Sequence, residues 1–223
     1  MTRNKPIHAP APAVTRPGVY ACGADTVNAI LEAALYLLIE EGSSAFTLRR
    51  IASECGLKLG NVSRHFPRKE MLVQVLLEEL LLPSEALVEK SIRKAGMSAE
   101  DALTLIIEGS LDEIKTKRTT NLSIELWAMA NHNEFVADRL EASYHYVHQL
   151  LAQFVAQLNP KLSAEDAYTV SVFISASIDG STMLAGYGKP WSSLMPQMKG
   201  LAVRSLVHLV KTITPAELRA FTR

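Results

Sequence analysis

The chain has two cysteines in 223 residues, Cys22 and Cys55. That is too few for a disulfide framework, and their spacing is not that of metal ligands, so a reducing compartment is expected. Net charge is also missing: Lys+Arg and Asp+Glu both number 23, so the whole chain carries no bias toward phosphate or an acidic surface. No stretch approaches the roughly 18 uninterrupted apolar residues that a spanning helix needs. Val19-Tyr20-Ala21-Cys22 resembles a lipoprotein cleavage site only faintly, because prolines rather than an apolar run precede it. The expectation is a cytoplasmic, non-membrane protein. Catalytic signatures are absent as well. There is no His-Glu-x-x-His, Walker loop, dinucleotide fingerprint or Gly-x-Ser-x-Gly elbow. His132, His145 and His148 with Glu141 do not form the Glu-x-x-His pair of a di-iron bundle. Neither an enzyme, a metal site nor a cofactor is expected.

What is present is ordinary globular composition, 48% hydrophobic and 21% charged, with apolar residues recurring at three and four. No run alternates with period two for long, so the expected fold class is all-α. Residues 1–24 hold Pro6, Pro10, Pro12 and Pro17 beside Arg3, Lys5 and Arg16, and read as a flexible basic arm. A first helix is expected from Asp25, with Val27, Ile30, Leu31, Ala34 and Leu38 on one face and Gly42 as its stop. Thr47 is placed to cap a short second helix ending at Gly56, and a third runs from Lys58 to His65. A fourth starts at Lys69 and bends at Pro83. Ser98 with Asp101 and Ser163 with Asp166 resemble capping boxes with Asp in place of Glu. Further helices are expected near 121–130, 134–158, 164–185 and 193–213, with a short one after Pro215.

Charge is distributed unevenly along this balanced chain. From Arg49 to Lys69 six basic side chains meet one acid, Glu54, whereas residues 73–223 carry 14 basic and 17 acidic groups. A compact basic segment beside a mildly acidic remainder is the footprint of a protein that meets phosphate with one part only. The same segment has the spacing of a helix-turn-helix. Ala52 is small where two helices cross, Gly56 four residues later suits a turn with positive φ, and Ile51, Cys55, Leu57 and Val62 are spaced to seal the pair.

Ile30-Leu31-Glu32-Ala33-Ala34, Glu41-Gly42, Phe46-Thr47, Ile51-Ala52, Gly56, Gly60-Asn61-Val62 and His65-Phe66-Pro67-Arg68-Lys69 together resemble the signature of the tetracycline-repressor (TetR) family. The resemblance implies an amino-terminal three-helix DNA-binding domain, residues 25–70, and a larger helical domain, residues 71–223, for ligand sensing and dimerisation. It implies a repressor that binds a palindromic operator as a homodimer and is released by a small molecule. By position, Thr47 matches a phosphate contact, and Lys58, Leu59, Gly60 and Asn61 occupy the start of the recognition helix. Ser63, Arg64, His65 and Lys69 fall on the backbone-gripping positions. His65 has a second reading, its ring packed into the domain. Lys58 stands where the family commonly has a capping Ser, and Ser63 where it commonly has Tyr, so a weaker cap and a smaller phosphate-facing side chain are expected.

For the larger domain the resemblance implies a pocket among its helices. Trp127, Met129, His132, Phe135, Tyr144, Phe173, Asp179 and Met183 are the candidates, because a site needs aromatic walls and a few polar groups. Val170, Phe173, Ile174 and Ile178 with Leu201, Leu206, Leu209 and Val210 form apolar stripes on the last two long helices. These stripes have two readings, a four-helix dimer interface or an intrachain core. The alternative for the whole molecule is a helical adaptor that never meets DNA.

Overall fold

A computed structural model describes residues 21–78 and 96–221. Most of the expected arm and the expected bend at Pro83 lie outside them. All regular structure among the described residues is helical. The elements are α1 (Ala21–Glu40), α2 (Leu48–Glu54), α3 (Leu59–His65), α4 (69–78), α5 (Ala99–Glu113), α6 (Lys117–Ala130), α7 (Glu134–Leu158), α8 (Ala164–Ala185), α9 (Met195–Thr212) and α10 (Pro215–Ala220).

Most boundaries fall where local chemistry puts them. The Thr47 hydroxyl accepts the Arg50 N–H at 3.2 Å and starts α2. At the other end Gly56, with φ +67°, lets the Leu57 N–H reach back to the Ala52 carbonyl at 2.8 Å and the Gly56 N–H to Ser53 at 3.3 Å. This is the paired closure that a glycine beyond a helix permits. Ser163 and Asp166 make a full reciprocal box at the head of α8. At α5 the acid turns instead to the Ser98 hydroxyl, 2.6 Å away. Two starts differ from expectation. Helix α1 already includes Ala21, four residues ahead of the expected Asp25. Helix α6 begins at Lys117, where Thr116 accepts the Thr119 N–H, a cap the apolar pattern did not mark.

Two cores organise the described chain. The first joins α1 to α2, α3 and α4 around Ile30, Leu37, Ile51, Val62, Phe66 and Leu72, and reaches Leu126 of α6 and Val136 and Leu140 of α7. The second gathers α5, the later half of α7, α8 and α9 around Leu103, Ile107, Leu151, Ile174 and Val210. Asn159 fastens it, its amide donating to the Val210 and Ile213 carbonyls at 2.8 and 2.9 Å.

The stripes on α8 and α9 resolve mostly in favour of the intrachain core. Val170, Ile174, Ile178, Leu206 and Val210 are buried within the protomer, and Leu209 packs against them. These helices carry apolar residues on two sides. The inner side closes the protomer, while Phe173 and Leu184 of α8 and Leu201 of α9 remain 54%, 54% and 65% exposed.

Candidate functional sites

Helices α2 and α3 pack against each other over the turn at Gly56, with Ile51, Ala52 and Val62 buried between them and α1. Their other side faces solvent. Thr47, Lys58, Leu59, Gly60, Asn61, Arg64 and Lys69 are exposed, and Ser63 and His65 are half-buried. None of the nine candidate residues is buried in the protomer. Lys58 precedes α3 with extended backbone and no side-chain cap, as its replacement of a capping Ser implies.

The six cations of this segment are not equivalent. Arg50 donates to Glu41 at 2.5 Å and to Glu54 at 2.7 Å. These hydrogen bonds hold its guanidinium above the ordinary value. It is a structural clamp between the end of α1 and α2. Arg49, Lys58, Arg64, Arg68 and Lys69 form no ion pair among the described residues. The sequence count therefore holds, among the described residues, five positive charges outside any ion pair and one spent on the fold.

A second site opens on the far side of α6. A cavity of about 520 Å³ is lined by Leu105 and Ile106 of α5, Thr119 and Ser123 of α6, Tyr144 and Val147 of α7, and Ile178, Asp179 and Thr182 of α8. It adjoins a space of about 460 Å³ between α6 and α8, bounded by Trp127, Asp179 and Met183, and an outer groove of about 650 Å³ between α7 and α8. Trp127, Tyr144 and Asp179 stand where these spaces meet. The Trp127 indole N–H donates to the Tyr144 oxygen at 3.3 Å, with ring centroids 5.4 Å apart. The Asp179 carboxylate shares the cavity lining with Tyr144. Burial raises the Asp179 pKa against the lowering effect of the Tyr144 hydroxyl. Burial and the adjoining carboxylate push Tyr144 upward too.

Of the eight candidates for this pocket, Trp127, Tyr144, Asp179 and Met183 come together here. Met129 and Phe135 pack against the first core instead. Phe173 points outward, and neither it nor the exposed His132 lines the cavities described. Sequence reading missed the aliphatic walls Leu105, Val147 and Ile178, which look like any core residue.

It also missed the rear of α6. Thr119, Ser123 and Trp127 recur every four residues on the cavity side. Lys117, Asn121 and Glu125 do the same, offset by two, and so lie on the opposite face. Lys117 pairs with Glu40, the Asn121 amide donates to the Ile39 carbonyl at 2.8 Å, and Glu125 accepts the Ser43 N–H at 2.8 Å. One helix thus lines the cavity and grips the end of α1, a few residues before Thr47. Two interleaved polar series of period four were the signal available for it.

Comparison with known proteins matches this division. The family model for bacterial regulatory proteins of the tetR family matches residues 30–76, and that for the carboxy-terminal part of BetI-type transcriptional repressors matches residues 99–193. The chain belongs to the TetR family of transcriptional regulators. It is similar to the HTH-type transcriptional regulator BetI of Escherichia coli K12, 24% identical over 164 residues, 72% of this chain and 83% of BetI. Its fold is that of a TetR regulator from Haloarcula marismortui, with a TM-score of 0.64 and 20% identity over 85% of this chain and 98% of that one. It is also that of a regulator from Saccharomonospora viridis solved with choline, with a TM-score of 0.64 and 22% identity over 85% and 97% of the two chains. As a TetR regulator this protein is a DNA-binding transcriptional regulator. No helix among its described residues is long and apolar enough to cross a membrane, and no group of His, Cys, Asp and Glu among them is set to hold a metal ion.

Proposed function

We propose that this TetR regulator is a cytoplasmic, non-catalytic repressor that grips a palindromic operator as a homodimer and lets go when a small molecule fills the cavity beside α6. Residues 25–70 form its DNA-binding unit and 71–223 its sensing and pairing unit. The observation that carries the reading is the solvent-facing surface of α2, α3 and the start of α4, where Lys58, Arg64 and Lys69 are exposed and free of acidic partners among the described residues. Lys58 and Asn61, at the start of the recognition helix, read base edges, with Leu59 and Gly60 allowing close approach. Thr47, Ser63, Arg64, His65 and Lys69 hold phosphates and fix the register. The Thr47 oxygen already accepts the Arg50 N–H, which leaves its hydroxyl hydrogen to donate outward.

The cavity supports the sensing half of the reading, and the choline held by the Saccharomonospora regulator supports a small organic ligand for such a domain. Occupancy moves α6, and α6 holds the end of α1 through Asn121 and Glu125. A ligand that favours one α6 position over another shifts the spacing of the two recognition helices by population.

The test is retention of a random duplex pool at moderate salt, followed by sequencing. An enriched palindrome is expected, with binding weakened by Lys58→Ala and Lys69→Ala. Each phosphate-contacting lysine, present once per half-site, should account for about two units of slope in log affinity against log salt. A folded protein that retains no sequence, or binds without salt dependence, would instead be a helical adaptor.

A further inference from the structure

The cavity beside α6 has a charge character that its apolar walls hide. Among the residues lining the three spaces described, none is Lys or Arg, whereas Asp179, Glu113 and Glu141 are carboxylates. Asp179 is the one drawn inside. It borders all three spaces at once, and the side chain that acts on its titration is the neutral Tyr144. No cation among the described residues compensates it. Burial and then the nearby charge of His145 hold His148, 5.8 Å from the Tyr144 ring, below its ordinary pKa, so it brings no competing positive charge. A carboxylate held in an apolar space without a counter-ion is costly to ionise unless a positive group arrives from outside.

Aromatic rings surround the same point. Trp127 and Tyr144 are tilted toward each other, and Tyr144, His148 and Tyr168 continue the series along the outer groove. Ring faces attract a cation, most strongly where water is thinned out. Away from this polar corner the main cavity is walled by Leu105, Ile106, Val147, Leu151 and Ile178. At about 520 Å³ it is far roomier than a bare ammonium head requires.

The geometry points to an amphipathic organic monocation as the effector, its ammonium against the Trp127 and Tyr144 rings beside the Asp179 carboxylate and its apolar body in the cavity walled by Leu105, Val147 and Ile178. This rests on the reading of that cavity as the sensing site and names the chemical class it takes. Both parts of the ligand matter: the head supplies charge for Asp179, and the body supplies the apolar area that fills the remaining space.

The probes are octyltrimethylammonium, 1-octanol, octanoate and tetramethylammonium, kept below any micelle threshold. Binding is read from Trp127 fluorescence in a Trp191→Phe background, Trp127 and Trp191 being the two tryptophans of the chain. Octyltrimethylammonium should bind at least tenfold more tightly than 1-octanol, octanoate or the tail-less tetramethylammonium. Asp179→Asn should erase its advantage over 1-octanol. Equal or stronger binding of 1-octanol or octanoate overturns the cationic class, and so does an Asp179→Asn variant that keeps the parent's ranking. If tetramethylammonium matches the long-chain cation, the apolar body is overturned. If no probe binds, the sensing cavity falls with it. Duplex retention by the same preparation, measured separately, reports on the DNA-binding reading whichever way the probes behave.

Discussion

Asp179 illustrates a residue held against its own stability. Burial raises its pKa from an ordinary 3.8. At pH values below that figure the carboxyl is protonated whether the chain is folded or not, and it exerts no effect. As the pH climbs, the unfolded chain ionises first, so folding loses stability between 3.8 and the higher folded value, and the whole loss persists above it. Ligand-free Asp179→Asn is therefore expected to melt at a higher temperature than the parent at neutral pH, with the gap closing near pH 3. A variant that melts lower at neutral pH would mean that the carboxylate is better solvated than its burial implies. Gly186 is constrained in the opposite sense. A Cβ there would stand 2.6 Å from both the Thr120 hydroxyl oxygen and the Thr182 carbonyl. Thr120 is itself engaged, donating to the Ile114 carbonyl at 2.6 Å and accepting the Tyr187 N–H at 2.9 Å. Gly186→Ala should lose about 1–3 kcal/mol in urea unfolding.

At the level of elements, α6 is the piece to probe. The partly buried hydrogen bond from Ser43 to Glu125 is worth about 1 kcal/mol. Glu125→Ala is expected to remove that much stability and to speed hydrogen exchange at the Ser43 amide, while the α2 amides keep the parent's rates. Unchanged exchange at Ser43 would show that the end of α1 holds itself without α6. The sequence made the elements legible wherever one local rule acts alone. Thr47, Gly56, Ser163 and Pro215 mark helix ends through their own backbone chemistry, and the structure uses each of them so. The outward α2–α3 face was legible because polar and apolar residues alternate there with the helical period. Reading became harder where a residue's role depends on its neighbours in space. Nothing local distinguishes Phe135, packed on the first core, from Tyr144, facing the cavity, since both are aromatic residues on α7. Nor does sequence separate Arg50, locked between Glu41 and Glu54, from Arg49 beside it, which forms no ion pair among the described residues.

For the molecule as a whole, the outward side of α8 and α9 is the surface on which the proposed dimer can be tested. Leu184, Phe173 and Leu201 are each more than half exposed, although they neighbour a well-packed core. Exposed apolar side chains of this size on two packed helices suit a surface that meets another protein. Leu201→Asp is expected to leave the protomer folded, since this side chain contributes little to its core, and to shift sedimentation from dimer to monomer at micromolar concentration. Operator affinity should then drop at least a hundredfold, because a lone recognition helix reads half a palindrome. A variant that stays dimeric would put the pairing surface elsewhere.

The grip of α6 on the end of α1 sets a rule for recombination. Engineers who graft a foreign DNA-reading head onto this sensor will find the seam in the side chains rather than at any loop. A donor head fits when its first helix ends in a free carbonyl and an unclaimed amide that Asn121 and Glu125 can hold. One that ends otherwise would yield a chimera with both halves intact and no conversation between them.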